Sequence, residues 1–141
     1  MNEMLVMNAT DVRKDWSAVI DSVVREKPKF IKRTRDYMIL ANIKTLESIL
    51  DTYTFTADEY VEENGSITLS LAELPLVENG RDKEEAVSNL ANGILEYAEI
   101  FYEYFDRFAA NESDIPYVFK ALLLNDAEKI GGLIICHPGK N

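Results

Sequence analysis

Hydrophobic positions near the start of the chain change from a short apolar run to a helical repeat. The segment Met4–Asn8 is a strand candidate, and Asn8 suits the N-cap of a following helix. Apolar residues then recur every three or four positions, which predicts one face of an amphipathic helix over residues 9–27. They are Val12, Trp16, Val19, Ile20, Val23 and Val24. Pro28 ends this helix, because proline cannot continue the hydrogen-bond ladder.

Two further strands and a short helix complete a first module. Lys29–Arg33 and Tyr37–Asn42 are predicted as strands around Thr34-Arg35-Asp36, and Ile43–Thr52 as a helix. The order is β-α-β-β-α within residues 1–52. So small a module buries too little surface to be stable alone, so we expect it to dimerise or to pack on the rest of the chain.

Residues 53–141 show a second set of elements. Asn64-Gly65 lies between two runs in which apolar and polar residues alternate, which predicts a β-hairpin. Asp82 suits the N-cap of a long helix that ends over Ala109–Ser113. The predicted elements are strands at Phe55–Glu62, Ser66–Leu71 and Leu74–Val77, a turn at Asn79-Gly80, a helix to about Phe108, and two short helices at Asp114–Leu124 and Ala127–Ile135. The predicted fold is α+β, with the second domain a short sheet packed with these helices.

The charge is distributed unevenly between the two parts. The whole chain has a net charge of −10, yet residues 1–50 hold nine basic against seven acidic side chains. Residues 51–141 hold six basic against eighteen acidic ones. This asymmetry suggests that the first part meets phosphates and the second meets a basic partner, although an acidic surface also serves solubility.

Residues that catalysis would need are scarce. The single histidine, His137, stands beside the single cysteine, Cys136, in a C-terminal tail that we expect to be mobile. No zinc-binding spacing and no glycine-rich phosphate loop occurs, so we expect no enzyme activity, no metal and no cofactor. No apolar run reaches membrane-spanning length, and no secretory signal is visible, so we predict a cytoplasmic protein.

An aromatic stripe follows the long predicted helix. Its members are Tyr97, Phe101, Tyr104, Phe105 and Phe108. Such a stripe usually belongs to a core, and part of it could also form a groove for a partner helix, because tyrosine and phenylalanine are favoured interface anchors. Glu96, Glu99 and Glu103 share another helical spacing and are predicted to form an exposed face.

The first module resembles the N-terminal region of Phd/YefM-type antitoxins. The resemblance lies in the run Asn8–Trp16, the apolar pairs Val19-Ile20 and Val23-Val24, the basic strand Lys29–Arg33, and Met38–Ala41. It covers residues 4–50, with the order and spacing of the family. The usual short C-terminal segment of the family is replaced here by about ninety residues, so the chain resembles a variant, RelB/Phd-like antitoxin with an enlarged, acidic C-terminal domain.

The resemblance implies a homodimer that binds operator DNA, represses its own operon and neutralises a cognate toxin, often a RelE-like ribonuclease. It places the DNA contacts at Thr10, Arg13, Lys14, Lys32, Arg33 and Arg35. We expect Arg13 and Lys14 to lie in the first turns of the predicted helix, where free backbone N–H groups favour phosphate. The alternative is a DNA-binding regulator without a toxin, whose second domain senses a small molecule or assembles oligomers.

Overall fold

The computed structural model describes residues 1–108 and 110–140, in two compact units, Met1–Ile49 and Leu50–Asn141. We call these the first unit and the second unit. Each mixes helices with strands, which confirms the predicted α+β class. Within the described residues, no helix combines the length and the apolar character needed to cross a bilayer.

The first unit is a three-stranded sheet with helices inserted between its first two strands. Its elements are β1 (Val6–Asn8), α1 (Ala9–Lys14), α2 (Trp16–Arg25), β2 (Lys29–Arg33), β3 (Asp36–Leu40) and α3 (Ile43–Leu50), which reaches the boundary with the second unit. The strand order is β1-β2-β3. Strand β1 runs parallel to β2, and β3 runs antiparallel to it.

The helix predicted over residues 9–27 is two helices. Asn8 caps α1 as predicted, since its Oδ1 accepts a hydrogen bond from the backbone N–H of Thr10 at 2.8 Å. Asp15 then leaves helical geometry, with φ −114° and ψ 33°, and α2 begins at Trp16. The apolar spacing continues across this break, so the sequence pattern carries no sign of it.

The core of the first unit is small. Only four hydrophobic side chains of this unit are buried among the described residues: Val12, Val19, Val23 and Ile31. Met7, Ala9 and Leu40 pack against them. Two members of the predicted helical stripe stay in solvent, with Trp16 exposed by 54% and Val24 by 58%.

The second unit is a four-stranded sheet packed against helices. Its elements are β4 (Phe55–Val61), β5 (Ile67–Leu71), β6 (Val77–Gly80), α4 (Lys83–Glu103), α5 (Phe105–Phe108), α6 (Ile115–Leu124), α7 (Ala127–Leu133) and β7 (Ile134–Pro138). The strand order is β6-β5-β4-β7, with β7 parallel to β4 and the other pairs antiparallel. Gly65, at φ 83°, closes the predicted hairpin between β4 and β5.

Helices α4, α6 and α7 bury a full core with alternate residues of the sheet. The largest fully buried side chains are Phe55, Leu69, Leu90, Ile94, Phe101, Val118 and Ile130. Asp82 caps α4 as predicted, because its Oδ1 accepts a hydrogen bond from the backbone N–H of Glu85 at 2.8 Å.

Three predicted features of the second unit are wrong. The strand predicted at Leu74–Val77 is displaced, because β6 begins at Val77 and ends at Gly80, so Asn79 and Gly80 belong to this strand and form no turn. Gly80 is required there because a Cβ would lie 2.3 Å from the backbone N of Ala86. The long helix is interrupted at Tyr104, where φ is −111° and ψ is 37°. Ala109, the first residue of the predicted break after Phe108, lies outside the described residues.

The third error concerns the C-terminal tail. The predicted second short helix ends at Leu133, and the tail forms strand β7 beside β4. Gly139 continues the attachment, since its N–H donates to the carbonyl of Glu59 at 2.8 Å and it lies directly against the ring of Tyr60. The run Ile134-Ile135 suits strand and helix equally, and only its long-range pairing decides between them.

Candidate nucleic-acid and partner interfaces

Strands β2 and β3 form a hairpin, closed by a two-residue turn, that carries the predicted contacts Lys32, Arg33 and Arg35. Arg33 pairs with Asp36, so Thr34 and Arg35 form the turn, and Thr34 adopts a left-handed φ of 57°. This geometry presents Arg33 and Arg35 in solvent at the end of the hairpin. Neither guanidinium forms an ion pair with any described residue, so both are available to an anionic partner.

The helical part of the predicted DNA surface differs from the expectation. Because α1 ends at Lys14, Arg13 and Lys14 lie in its last turn and not beside its N-terminal N–H groups. Their positive charges there interact favourably with the partial negative charge at the C-terminal end of the helix. Both side chains are exposed, and Thr10 is exposed in the first turn. The helix N-terminus therefore gives no reason for phosphate to bind at Arg13.

An apolar groove is lined by residues of α1 and of the β2–β3 hairpin, the two elements that carry the predicted basic contacts. It has a volume of about 660 Å³ and is lined by Ala9, Val12, Arg13, Trp16, Ile31, Arg33, Met38, Ile39 and Leu40. The structure thus brings Arg13 and Arg33 to one groove, whereas Thr10, Lys14, Lys32 and Arg35 are not part of its lining. We call this feature the Trp16 groove. Large hydrophobic side chains in solvent are typical of interaction surfaces.

Lys32 differs from the other predicted DNA contacts because it is already bound. Its Nζ lies 2.9 Å from Oε1 of Glu3, and the hydroxyl of Tyr37 donates to the same oxygen at 2.5 Å. The Tyr37 hydrogen bond, followed by that of Lys32, lowers the pKa of Glu3. The hydrogen bond to Glu3, followed by the one to Tyr37, raises the pKa of Lys32. We call these three residues the Glu3 triad.

The aromatic stripe of the second unit belongs mainly to its core. Phe101 is only 1% exposed, and its ring stacks on Phe108 at 5.2 Å between centroids. Tyr97 and Phe105 pack around it at 6.1 and 5.8 Å. Tyr104 is the exception, because it is 40% exposed beneath the guanidinium of Arg107. A partner could reach Tyr104 without disturbing this packing.

One polar bond fixes the beginning of the aromatic cluster. The hydroxyl of Tyr97 donates to Oδ2 of Asp114 at 2.8 Å, which ties α4 to the turn before α6. Burial, followed by this bond, raises the pKa of Tyr97 to about 12. The phenol therefore stays neutral at physiological pH and acts as a structural donor.

Helix α4 carries an acidic face in solvent. Glu96, Glu99 and Glu103 are all exposed, as predicted, and Ile100 lies between them at helical spacing with 44% of its surface exposed. We call these four residues the α4 acidic face. An exposed apolar residue framed by like charges offers both contact area and long-range attraction to a basic protein surface.

Cys136 and His137 do not form a nucleophile and base. Successive residues of strand β7 point to opposite sides of the sheet, so the two side chains diverge. Burial raises the pKa of the Cys136 thiol, which disfavours the reactive thiolate. Among residues 1–108 and 110–140, no group of three or more histidine, cysteine or acidic side chains could hold a metal ion.

Sequence reasoning missed Glu3 and Tyr37. Tyr37 could have been found from the hairpin register, because a two-residue turn that pairs Arg33 with Asp36 also pairs Lys32 with Tyr37. Glu3 gave no such signal. It reaches Lys32 across 29 positions only because β1 lies beside β2 in the folded sheet.

Comparisons with known proteins match nearly the whole chain. A family model described as "Antitoxin of toxin-antitoxin, RelE / RelB, TA system", of the Phd-like type, matches residues 1–136. A crystal structure from Syntrophomonas wolfei subsp. wolfei, described as the antitoxin part of a toxin/antitoxin system, superposes with a TM-score of 0.88 at 28% identity. The similarity covers 95% of this chain and 99% of that one. A comparison with curated proteins gave no match.

Proposed function

The chain belongs to the Phd-like family of toxin–antitoxin antitoxins, and we propose that it neutralises a cognate toxin by direct binding and represses its own operon by binding operator DNA. Family membership indicates a regulatory, non-catalytic protein with a toxin partner. The observation that carries the proposal is the division of charge: the first part is basic and the second strongly acidic. The protein would act in the cytoplasm, where its operon lies.

We assign DNA binding to the first unit. Arg13, Lys14, Arg33 and Arg35 are exposed and form no ion pair with the described residues. Arginine side chains can contact guanine or phosphate with two parallel hydrogen bonds. Arg13 and Arg33 line one groove, so a single stretch of duplex could meet both.

The occupant that we propose for the apolar part of the Trp16 groove is a second copy of the chain, which would leave the exposed guanidiniums of Arg13 and Arg33 to the DNA. Trp16, Met38 and Ile39 are each about half exposed. The four buried side chains of the first unit are few for a stable unit of fewer than fifty residues, so covering the groove would complete its core. A two-fold dimer would also present two sets of arginines to the half-sites of a palindromic operator.

We assign toxin binding to the acidic second unit, with a RelE-like ribonuclease as the proposed toxin. An RNA-cleaving toxin needs a basic surface for its substrate, and the α4 acidic face supplies the complementary charge. Ile100 provides an apolar contact within the α4 acidic face, and exposed Tyr104 lies just beyond the C-terminal end of α4. The remaining residues of the aromatic stripe would act by holding α4 in place.

Operator binding can be tested with two arginine substitutions. Arg13→Ala and Arg33→Ala should each weaken binding to the DNA upstream of the operon by about 1–3 kcal/mol if they contact bases. Arg25→Ala is the matched control, because Arg25 is an exposed arginine of the first unit outside the predicted set. Fluorescence anisotropy measures the affinities. Equal binding by the double variant and the wild-type protein would show that this mapping is wrong.

Toxin neutralisation can be tested by co-expression with the protein encoded next to this chain. The wild-type chain should restore growth and co-purify with that protein. Replacing Glu96, Glu99 and Glu103 by lysine should reduce both effects, whereas lysines at Glu62, Glu63 and Glu128, which are also exposed, should not. A neighbour that is neither toxic nor bound would refute the toxin assignment and favour a regulator that senses a small molecule.

A further inference from the structure

The Glu3 triad has the form of an occupied anion site. Two donors from the hairpin, Lys32 Nζ and Tyr37 OH, point at the same carboxylate oxygen of Glu3. The ammonium of Lys32 also lies 5.2 Å from the centre of the Tyr37 ring, so the two donors are held together by their own contact. A charged donor and a neutral donor that meet at one oxygen are equally suited to an oxygen of a phosphodiester.

We propose that Lys32 and Tyr37 form a binding site for a DNA phosphate oxygen, which Glu3 occupies in the free chain and leaves when DNA binds. This inference rests on the proposed DNA-binding function of the first unit. It assigns to Tyr37 a contact with DNA, and to Glu3 an inhibitory role. Because Lys32 on β2 and Tyr37 on β3 are paired across the hairpin, the two donors remain together after Glu3 has left.

The surroundings of Glu3 allow this exchange. Glu3 begins a single 3-10 turn before β1, and its side chain is 58% exposed. An exposed ion pair of this kind contributes little net stability, so a phosphate can replace the carboxylate at small cost. Glutamate is ionised at neutral pH, and the two donors lower the pKa of Glu3 further, so DNA competes with a negatively charged group.

The first test compares DNA affinities of matched charge variants, using duplex DNA from upstream of the operon. Glu3→Gln should tighten binding about two- to fivefold, because it weakens the competitor and retains the donors. Asp21→Asn, an equal charge change at another exposed residue of the first unit, should have a smaller effect. In the Tyr37→Phe background, the gain from Glu3→Gln should shrink. Equal effects of Glu3→Gln and Asp21→Asn would overturn the inference while leaving DNA binding itself intact.

A second measurement separates this inference from the proposed function. Inorganic phosphate is titrated into each variant, and the NMR signals of the Lys32 ammonium and the Tyr37 ring are followed. In Glu3→Gln these signals should shift at lower phosphate concentration than in the wild-type chain, and Tyr37→Phe should remove the difference. If no variant binds DNA but this pattern appears, the anion site stands and the operator assignment fails. If the signals respond equally in the wild-type chain and in Glu3→Gln, the site is refuted.

Discussion

The two units of this chain bury hydrophobic surface to very different extents. Among the described residues, the core cluster of the first unit has four buried side chains, whereas that of the second unit has fourteen. The first unit also keeps Trp16, Met38 and Ile39 in solvent around one groove. The exposed side chains of the second unit include the α4 acidic face.

This difference bears on the partners that we propose for the two units. A unit with an incomplete core gains stability when another protein covers its apolar surface, so association and folding are coupled. A unit with a complete core has no such need, and the toxin that we propose as its partner would be attracted by charge on a preformed surface. We therefore expect the stability of the first unit to depend on protein concentration, and the binding of a partner to the second unit to depend on ionic strength.

The largest expected effect breaks the core of the second unit. Phe101→Ala removes the ring around which the aromatic cluster packs and should lower the free energy of unfolding by about 3–5 kcal/mol. Tyr102→Ala, next along α4 and 61% exposed, should change it by less than about 0.5 kcal/mol. Denaturant titration followed by circular dichroism measures both. A small loss in Phe101→Ala would contradict the view that this unit is stabilised by its own core.

The next effect tests whether self-association depends on the first unit and not on the second. Met38→Asp places a charge in the Trp16 groove and should weaken self-association at least tenfold, which is about 1.4 kcal/mol. Val61→Asp is the matched control, because Val61 is 73% exposed in the second unit. Sedimentation velocity over a range of concentrations measures the effect. If both variants self-associate like the wild-type chain, the groove is not the dimer surface.

A pair of helix caps sharpens the comparison. Asn8→Ala and Asp82→Ala each remove a side-chain acceptor at a helix N-terminus and should each cost about 1 kcal/mol. The unfolding midpoint of the second unit in Asp82→Ala should be independent of protein concentration, whereas that of the first unit in Asn8→Ala should rise with concentration, because dimerisation stabilises the folded state. Asn8→Ser and Asp82→Asn, which keep an acceptor, are the controls. Thermal unfolding at two concentrations decides, and identical behaviour of the two alanine variants would remove the distinction.

The last expected effect is confined to alkaline pH and to the second unit. Folding raises the pKa of Tyr97 from 10.0 to about 12, so the folded state favours the neutral phenol. Its contribution is complete below pH 10 and is lost as the pH rises to about 12. Tyr97→Phe has no proton to lose and should show a flatter profile over this range. Parallel profiles of the wild-type chain and Tyr97→Phe would contradict the assignment.

Local signals made much of the fold predictable. The caps Asn8 and Asp82 and the Asn64-Gly65 hairpin all depend on neighbours within a few positions, and the structure confirms them. Gly80 was misread as a turn because its reason lies elsewhere, in the backbone of Ala86. Strand β7 was missed for the same kind of reason: its partner is β4, far away in sequence.

For the candidate DNA surface, the sequence indicated which residue types are exposed but not how they are arranged. Resemblance and charge selected Arg13, Lys14, Arg33 and Arg35, which are exposed. The break at Asp15 moved the first two to the end of a helix, and no periodicity could reveal that. The pairing of Lys32 with Glu3 depends on two strands meeting, so only the fold shows it.

The parallel pairing of β4 with β7 has a consequence for how the protein is made. Phe55 pairs with Ile134, so the sheet of the second unit cannot be completed until that late segment has left the ribosome. The first unit can assemble much earlier, because all its strands lie within the first forty residues. During synthesis, the part with the incomplete core is thus available to a second nascent chain before the acidic part has its final shape.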